Sequence, residues 1–282
     1  EAEVAGLNSK TGYEVMNMNL GAMHNTPGDV GSYGLLYQWG RKDPFPAAPT
    51  LTGTTATVGA PIYDGDDNEI KITNSSQSST ADNNLAFAIA NPTVCLSNYA
   101  QFNTSRDWLQ ADMSNDALWG NPKGAERNET NDFLNKGAKS FYDPCPVGWR
   151  VPPADVFRNF TASGGYAWVI DDFDIADISG DGAKSLADYD YGWTFNLSDS
   201  ASSYFPAAAR FDGSYAMLMG SMSGLWGSYW GNAPYPGDMF QGGAYSVLSF
   251  QIKDTAGNEM ITTSPAGGGA RADAYSVRCI RE

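Results

Sequence analysis

The chain has 282 residues, a formal net charge of −15 and only 17% charged residues, against 42% hydrophobic ones. This length suggests one large domain or two small ones, with enough residues to bury a core without help from disulfides or metals. The acidic balance disfavours nucleic acids and anionic membrane surfaces as partners, because both select a basic face, and no run of about 20 apolar residues predicts a membrane span.

The first third of the chain predicts few regular elements. The opening EAEVAGLNSK lacks an initiator Met and is typical either of a processed mature chain or of a segment cut from a longer chain. The loosely alternating YEVMNMNLGAM predicts a strand, and YGLLYQWGRKDPF (33–45) predicts a short helix stopped by Pro44. Residues 49–82 are rich in Thr, Ser, Asn and Gly and predict a solvated loop, in which YDGDDNE (63–69) forms a hairpin turn. LAFAIANP (85–92) predicts a second short helix.

The middle of the chain is irregular, and strands follow it. The pattern of RDWLQADMSNDALW (106–119) is ambiguous and predicts a helix only weakly. FYDPCPVGWRVP (141–152) contains three prolines and predicts a rigid turn. PADVFRNFTASGG (153–165) predicts a helix with Pro at its start and Gly at its end. After residue 200, SYFPAAAR, GLWGSYW, AYSVLSFQI and AYSVRCIRE predict short strands.

The strand predicted for AYSVLSFQI has a clear alternation. A period of two separates its side chains between two faces of the sheet. One face holds Tyr245, Val247 and Ser249. The other face holds Ser246, Leu248 and Phe250.

The three cysteines leave their pairing open. Cys95, Cys145 and Cys279 match no zinc-binding spacing, and His24 is the only histidine. One disulfide with one free thiol fits the sequence, and so does a fully reduced chain.

One acidic segment, DISGDGAKSLAD, resembles a twelve-residue calcium loop. Asp177, Ser179 and Asp181 fall at positions 1, 3 and 5, and Asp188 falls at position 12. Oxygen ligands at this spacing are able to wrap a hard cation. A Lys at position 8 and the short side chain at position 12 depart from the pattern, so a solvated acidic loop is the alternative. No cofactor is required by the sequence, and calcium is the candidate metal.

Six motifs occur in the order expected for one family: YGLLYQWGRKDPF, KSFYDPCPVGWRVP, YFPAAAR, YWGNAP, AYSVLSF and YSVRCIRE. Together they resemble the fibrobacter major paralogous domain of Bacteroidales surface proteins. The resemblance covers residues 13–45 and 139–282, and residues 49–138 are interpreted as an insertion within a single domain, 1–282. It implies an α+β, C-type-lectin-like fold with short antiparallel sheets, two flanking helices and long loops.

The resemblance also carries expectations about function and pairing. It implies an extracellular protein of the cell surface, outer membrane or pilus, with a ligand surface in its C-terminal third. In some relatives a diversity-generating retroelement varies that third. Cys145 and Cys279 lie in the DPCP and VRC motifs, and we expect a disulfide between them, with Cys95 as a buried free thiol.

Residues 211–248 are the expected ligand-facing region, because they combine aromatic and small residues with almost no charge. Trp230 and Tyr245 match interior positions of the family motifs, Phe250 is also expected in the core, and Tyr229 fits either side. The predicted ligand-binding residues are Tyr215, Met217, Met219, Ser221, Trp226, Ser228, Asn232, Tyr235, Ser246 and Leu248.

These observations favour a surface or pilus-tip adhesin that binds a host or microbial glycan or a protein. Other pilus subunits are further candidate partners. No nucleophile elbow, phosphate loop or dinucleotide fingerprint indicates an enzyme. A carbohydrate-active enzyme that uses a carboxylate pair in the insertion or the acidic loop is one alternative, and a structural pilus subunit is another.

Overall fold

The computed structural model describes most of the chain. The described residues are 4–47, 50–52, 55–57, 63–69, 73–75, 84–96, 107–109, 116–130, 132–213, 217–218, 222–236, 243–254, 256–265 and 267–282. Within them, nineteen strands are accompanied by one seven-residue α-helix and four short 3-10 helices. None of the helices in this part of the chain has the length and apolar character needed to span a membrane.

The strands are short and follow one another closely. They are β1 (Val4–Asn8), β2 (Tyr13–Met16), β3 (Leu35–Gln38), β4 (Pro44–Pro46), β5 (Thr50–Thr52), β6 (Thr55–Thr57), β7 (Thr73–Ser75), β8 (Val94–Leu96), β9 (Trp149–Arg150), β10 (Gly192–Ser198), β11 (Ala201–Pro206), β12 (Phe211–Asp212), β13 (Met217–Leu218), β14 (Trp226–Pro234), β15 (Gly243–Lys253), β16 (Glu259–Ser264), β17 (Gly267–Ala270), β18 (Ala274–Ser276) and β19 (Ile280–Arg281). The helices are α1 (Asn84–Ala90) and the 3-10 helices Val30–Ser32, Arg158–Phe160, Ile170–Asp172 and Leu186–Asp188.

A nine-stranded sheet organises the described residues. Its main path runs β13-β12-β18-β14-β15-β16, with β17 beside β15, β3 beside β18, and β4 beside β3. All of its pairs are antiparallel except β14 with β18. A four-stranded sheet, β1-β2-β19-β9, and the hairpin β10-β11 complete the larger β structure.

Aromatic rings fill the core on both sides of the central sheet. One cluster is rich in tryptophan, and a second is rich in phenylalanine. In the second cluster the rings of Phe160 and Phe195 are stacked, with their centroids 4.2 Å apart. Large rings contribute much buried apolar area per residue, which lets short strands make a stable core. The tryptophans of the first cluster are Trp39, Trp108, Trp119, Trp149 and Trp230.

The predicted α+β, C-type-lectin-like fold with two flanking helices is wrong, because the described residues form a β-rich fold. Residues 33–45 form β3 and β4 instead of a helix, and residues 153–165 form turns around a three-residue 3-10 helix. The predictions of a helix at 85–92 and of a hairpin turn at 63–69 are confirmed by α1 and by an antiparallel bridge between Tyr63 and Glu69.

Tertiary contacts explain both incorrect helix predictions. Leu36 is fully buried in β3, where it pairs with β18 as part of the central sheet. In the other segment, the carbonyl oxygen of Val156 accepts hydrogen bonds from Asn8 Nδ2 at 3.0 Å and from Thr11 Oγ1 at 2.9 Å. That carbonyl is therefore bonded to β1 and the turn after it instead of to a helical backbone.

The predicted disulfide between Cys145 and Cys279 is confirmed. Their Cα atoms are 6.0 Å apart, although 134 residues separate them in sequence. The bridge joins the proline-rich turn to the segment between β18 and β19. Cys95 is a buried free thiol, as expected, and burial raises the pKa of that thiol well above its ordinary value.

Arg278, the arginine of the VRC motif, is a structural residue. It is completely buried, and its guanidinium donates to Asn19 Oδ1 at 3.0 Å and to the carbonyl of Tyr204 at 2.6 Å. Met16 O and Ser203 Oγ accept two further bonds. Burial lowers the pKa of this group to about 10, so neutral acceptors from β2 and β11 hold a cation inside the fold.

Candidate binding site on the central sheet

Two rows of polar and aromatic side chains cross strands β14, β15 and β16. Antiparallel pairing places residues of neighbouring strands directly opposite each other, so their side chains share one face of the sheet. The first row is Trp226, Gln251 and Thr262, and the second is Ser228, Ser249 and Ser264.

A cavity of about 420 Å³ lies over these rows. We name it the sheet-face cavity. It is lined by Tyr166, Arg210, Asp212, Trp226, Ser228, Ser246, Ser249, Gln251, Thr262, Ser264, Gly267, Gly268, Ala270, Asp273 and Tyr275. Its volume falls in the range of small-molecule sites, and its lining combines aromatic rings with hydroxyl and amide groups.

A β-bulge in β15 brings an additional serine into the cavity. The register shifts at Trp230, which lies opposite Ser246 and leaves Val247 as an extra residue. Val247 and Leu248 both pack in the phenylalanine-rich core cluster. Ser246 and Ser249 both line the cavity. Regular alternation predicted Ser246 and Leu248 on one face, and that prediction is wrong because the bulge changes the phase of the strand.

Arg210 and Trp226 form one wall of the cavity. The guanidinium carbon of Arg210 lies 4.2 Å from the centroid of the Trp226 ring, and Trp226 Nε1 donates to Ser249 Oγ at 3.2 Å. The indole is therefore fixed by a cation–π contact and by a hydrogen bond, while it stays half-buried. Arg210 Nε is buried without a hydrogen-bond partner, which leaves a donor unused beside the cavity.

A hydrogen-bonded network lies deeper, at Asp273. Its two carboxylate oxygens accept from Gly213 N and from the Tyr275 hydroxyl, both at 2.9 Å. Burial raises the pKa of Asp273 to about 6, although the nearby Arg210 opposes the rise. Arg210 Nη2 donates to Asp212 Oδ2 at 3.3 Å, and this pair is largely buried. Among the described residues of the lining, Arg210 is the one cation, and it lies close to two carboxyl groups, so these residues give the cavity no surplus positive charge.

The cavity contains three of the ten predicted ligand-binding residues: Trp226, Ser228 and Ser246. Trp226 is half-buried, while the two serines are largely covered and lie at the floor of the cavity. Tyr215, Met219 and Ser221 lie outside the described residues. Met217 belongs to β13, but its side chain lies outside the described part of the chain.

Three other predicted ligand residues lie outside the cavity lining, and neighbouring elements cover two of them, Leu248 and Asn232. Leu248 is buried in the core, as described above. Asn232 is buried, and its amide accepts from Asn121 Nδ2 at 2.9 Å and donates to the carbonyl of Lys136 at 3.1 Å. The ring of Tyr235 packs edge-on against Tyr245 at 5.0 Å. The predicted role of Leu248 and Asn232 as exposed ligand contacts is wrong, whereas Tyr235 is only partly buried and its predicted role stays a prediction.

The predictions about the core aromatics are confirmed. Trp230, Tyr245 and Phe250 are all buried. Tyr229, for which the sequence left both sides open, is fully buried and donates from its hydroxyl to the carbonyl of Pro206 at 2.7 Å. Gly227 makes room for this arrangement, since a Cβ there would lie 2.4 Å from the ring of Phe250.

Most of the cavity lining was not identified from the sequence. Tyr166, Arg210, Asp212 and Asp273 come from segments up to about a hundred residues apart, so no local pattern joins them. The strand EMITTS carries Thr262 and Ser264 at a spacing of two, and only its pairing with β15 reveals which face they occupy. The closely spaced aromatic residues Tyr166 and Trp168, in YAWV, are a local signal of a binding surface that the sequence analysis did not use.

The acidic loop of the predicted calcium site is stabilised by hydrogen bonds within the loop itself. Asp188 is buried and accepts from the backbone of Ile178, Ser179 and Ser185. Asp177 accepts from the Ser179 hydroxyl and two glycine N–H groups, and Asp181 accepts from Ala183 N. Among the described residues, no group of three or more acidic, His or Cys side chains is arranged to hold a metal. Calcium binding stays a prediction.

A second, larger cavity of about 650 Å³ has a different character. Its charged side chains pair with one another, as in Lys10 with Asp174 at 2.7 Å and Arg158 with Asp132 at 3.6 Å. Phe173 is the only aromatic residue among the described residues that line it, and that ring is fully buried. The sheet-face cavity is therefore the better candidate for ligand binding.

No protein-family model, curated protein or solved structure matches this chain.

Proposed function

We propose that the chain is a cell-surface or pilus-tip adhesin that binds a neutral glycan in the sheet-face cavity. The observation that carries this proposal is the position of a half-buried indole, Trp226, beside two rows of hydroxyl and amide side chains. A sugar presents apolar C–H faces that pack on rings and hydroxyl groups that exchange hydrogen bonds with such side chains.

The charge of the cavity supports a neutral ligand. Arg210 already pairs with Asp212 and lies close to Asp273, so an anionic ligand would add repulsion from two carboxyl groups. The concave shape and the volume of about 420 Å³ suit a compact ligand better than a broad protein surface. The glycan alternative is therefore favoured over the protein alternative.

Two observations support an extracellular location. The disulfide between Cys145 and Cys279 is typical of proteins that fold in an oxidising compartment. The six sequence motifs resemble a family of surface proteins, and the proposal of a surface or pilus-tip role rests on that resemblance.

A glycan-cleaving enzyme is the alternative that Asp212 and Asp273 suggest, because both carboxyl groups line the same cavity. However, the backbone of Gly213 and the hydroxyl of Tyr275 already occupy the oxygens of Asp273. A general acid has to reach the glycosidic oxygen. Binding without cleavage is therefore the function we propose.

The test is a glycan array probed with the native chain, with Trp226→Ala and with Phe141→Ala. Phe141 is 81% exposed and does not line the cavity, so it controls for the loss of an exposed ring. We expect Trp226→Ala to lose at least about tenfold in affinity and Phe141→Ala to bind like the native chain. Equal binding by all three proteins would contradict the proposed site, and release of shorter glycans on incubation would favour the enzyme.

A further inference from the structure

We infer that the exposed rings of Tyr166 and Trp168 form an outer stacking subsite, so that the sheet-face cavity receives one end of an oligosaccharide. This inference rests on the proposed function, because it concerns the same ligand as it leaves the cavity. It assigns a role to two residues that lie far from the predicted ligand-facing region in sequence.

The two rings are exposed, adjacent and continuous with the cavity. Tyr166 is 51% exposed and Trp168 is 62% exposed. Their ring centroids lie 4.8 Å apart, with the ring planes tilted by 49°. Tyr166 also lines the sheet-face cavity, so one ring belongs both to the cavity and to the external pair. A ligand chain that leaves the cavity beside Tyr166 meets Trp168 next.

The backbone between the rings is attached to the edge of the central sheet. Ala167 N donates to Thr263 O at 2.9 Å, and Thr263 N donates to Ala167 O at 3.0 Å. Thr263 lies between Thr262 and Ser264, which both line the cavity. Ala167 is buried in the phenylalanine-rich cluster. Because neighbouring side chains of an extended segment alternate, the two flanking rings point away from that core together.

The loop that carries the rings is closed by several hydrogen bonds. Thr161 Oγ1 donates to Gly165 O at 2.7 Å, and Ala162 N donates to Asp172 O at 2.8 Å. These bonds hold the two ends of the loop together around the exposed segment. Rings presented on a fixed loop lose little conformational entropy when a ligand packs on them.

A glycan is the occupant that fits both parts of this surface. The cavity offers hydroxyl and amide groups for one sugar unit, and the outer rings offer apolar faces for the units that follow. Two tilted rings differ in orientation, which suits successive units of a twisted chain. A protein partner that covered only the rings would not account for the continuity between Tyr166 and the polar cavity.

The experiment compares chain lengths with the intact protein. The probes are linear gluco-, xylo- and manno-oligosaccharides and poly-N-acetyllactosamine fragments, each from one to six units, titrated by calorimetry. For a series that binds, we expect the affinity of the native chain to rise by about tenfold from the shortest bound member to the hexamer. Trp168→Ala should bind the shortest member with native affinity but show no rise in affinity with chain length. Phe141→Ala should show the same rise as the native chain.

The outcomes separate this inference from the proposed function. If Trp168→Ala retains the rise, or if the native chain shows none, the outer subsite is overturned. In that case, the proposal that the cavity binds glycan is still supported if Trp226→Ala loses binding at every chain length. If the native chain binds none of these series but binds another glycan on the array, the outer subsite is overturned and the cavity site stands. If it binds no glycan at all, both proposals are overturned. If Trp168→Ala instead abolishes self-association in sedimentation velocity, the rings are a contact between copies, which also overturns the subsite.

Discussion

Arg210 covers the ring of Trp226 at 4.2 Å, and both side chains line the same cavity. Arg210 therefore has two roles: it holds the indole in place, and it balances the charge of Asp212 and Asp273. Aromatic rings at a binding surface are effective when their neighbours keep them fixed.

Replacement of Arg210 by Ala should destabilise the fold. The Arg210–Asp212 pair is largely buried, and its loss leaves buried carboxyl groups without their cation. We expect the free energy of unfolding at pH 7 to fall by about 3 to 5 kcal/mol in urea titrations. Arg210→Lys keeps the charge without the planar guanidinium, so it should recover part of the loss. A loss below about 1 kcal/mol for Arg210→Ala would contradict this account.

Asp273 should make stability fall as pH rises from about 4 to 6. Burial raises the pKa of Asp273 from 3.8 to about 6. In that window the unfolded chain releases the proton while the folded chain retains it, so proton release favours unfolding. The penalty is absent below about pH 4 and reaches about 3 kcal/mol by pH 7.

The variant Asp273→Asn isolates this effect from the other carboxyl groups. The difference in unfolding free energy, variant minus native, should increase by up to about 3 kcal/mol between pH 4 and pH 7. Denaturant titrations at several pH values measure this difference. A difference that stays constant with pH would show that Asp273 titrates normally.

The bulge in β15 predicts substitution effects of different size at neighbouring positions. Leu248→Ala should destabilise the fold by about 2 to 5 kcal/mol, because Leu248 lies in the core. Val247→Ala should also destabilise it, by at least about 1.5 kcal/mol. Ser249→Ala should cost about 1 kcal/mol or less and weaken glycan binding, because it removes the acceptor of Trp226 Nε1. If Val247→Ala and Ser249→Ala changed the free energy of unfolding equally, the result would instead support a strand without the bulge.

The disulfide should contribute strongly to stability. It closes a loop of 134 residues, so loss of the bridge through Cys145→Ala/Cys279→Ala should cost about 3 to 5 kcal/mol. In urea titrations, a reductant should destabilise both the native chain and the Cys95→Ala control. The double variant should not respond to the reductant. Mass spectrometry of the denatured, unreduced protein should find only Cys95 alkylated.

Local sequence signals predicted the elements that depend on few partners. The strand AYSVLSFQI, the turn at 63–69 and the helix at 85–92 formed where expected, because alternation, Asp-Gly and a Pro stop act within a few residues. The segment 33–45 was misassigned, since a short apolar run fits a helix and a buried strand equally well. Its pairing with a strand more than two hundred residues away decided the outcome.

Only part of the candidate site could be predicted, because local patterns identify residues of one segment and not their distant partners. Trp226, Ser228 and Ser246 lie in the segment that the composition indicated, and they meet in one cavity. Arg210, Asp273 and Tyr166 join them only through sheet pairing and loop closure. No local pattern brings these residues together.

By itself, the sequence determined the acidic charge, the β-rich C-terminal part and the many aromatic residues available to fill the core. The tertiary structure decided which rings face the cavity: Trp226 remains half-buried at its wall, whereas Tyr229 and Trp230 are enclosed. The physical reason is that the exposure of a strand side chain depends on what packs over its face. One extra residue in β15 is enough to change which side chains of that strand point toward the cavity.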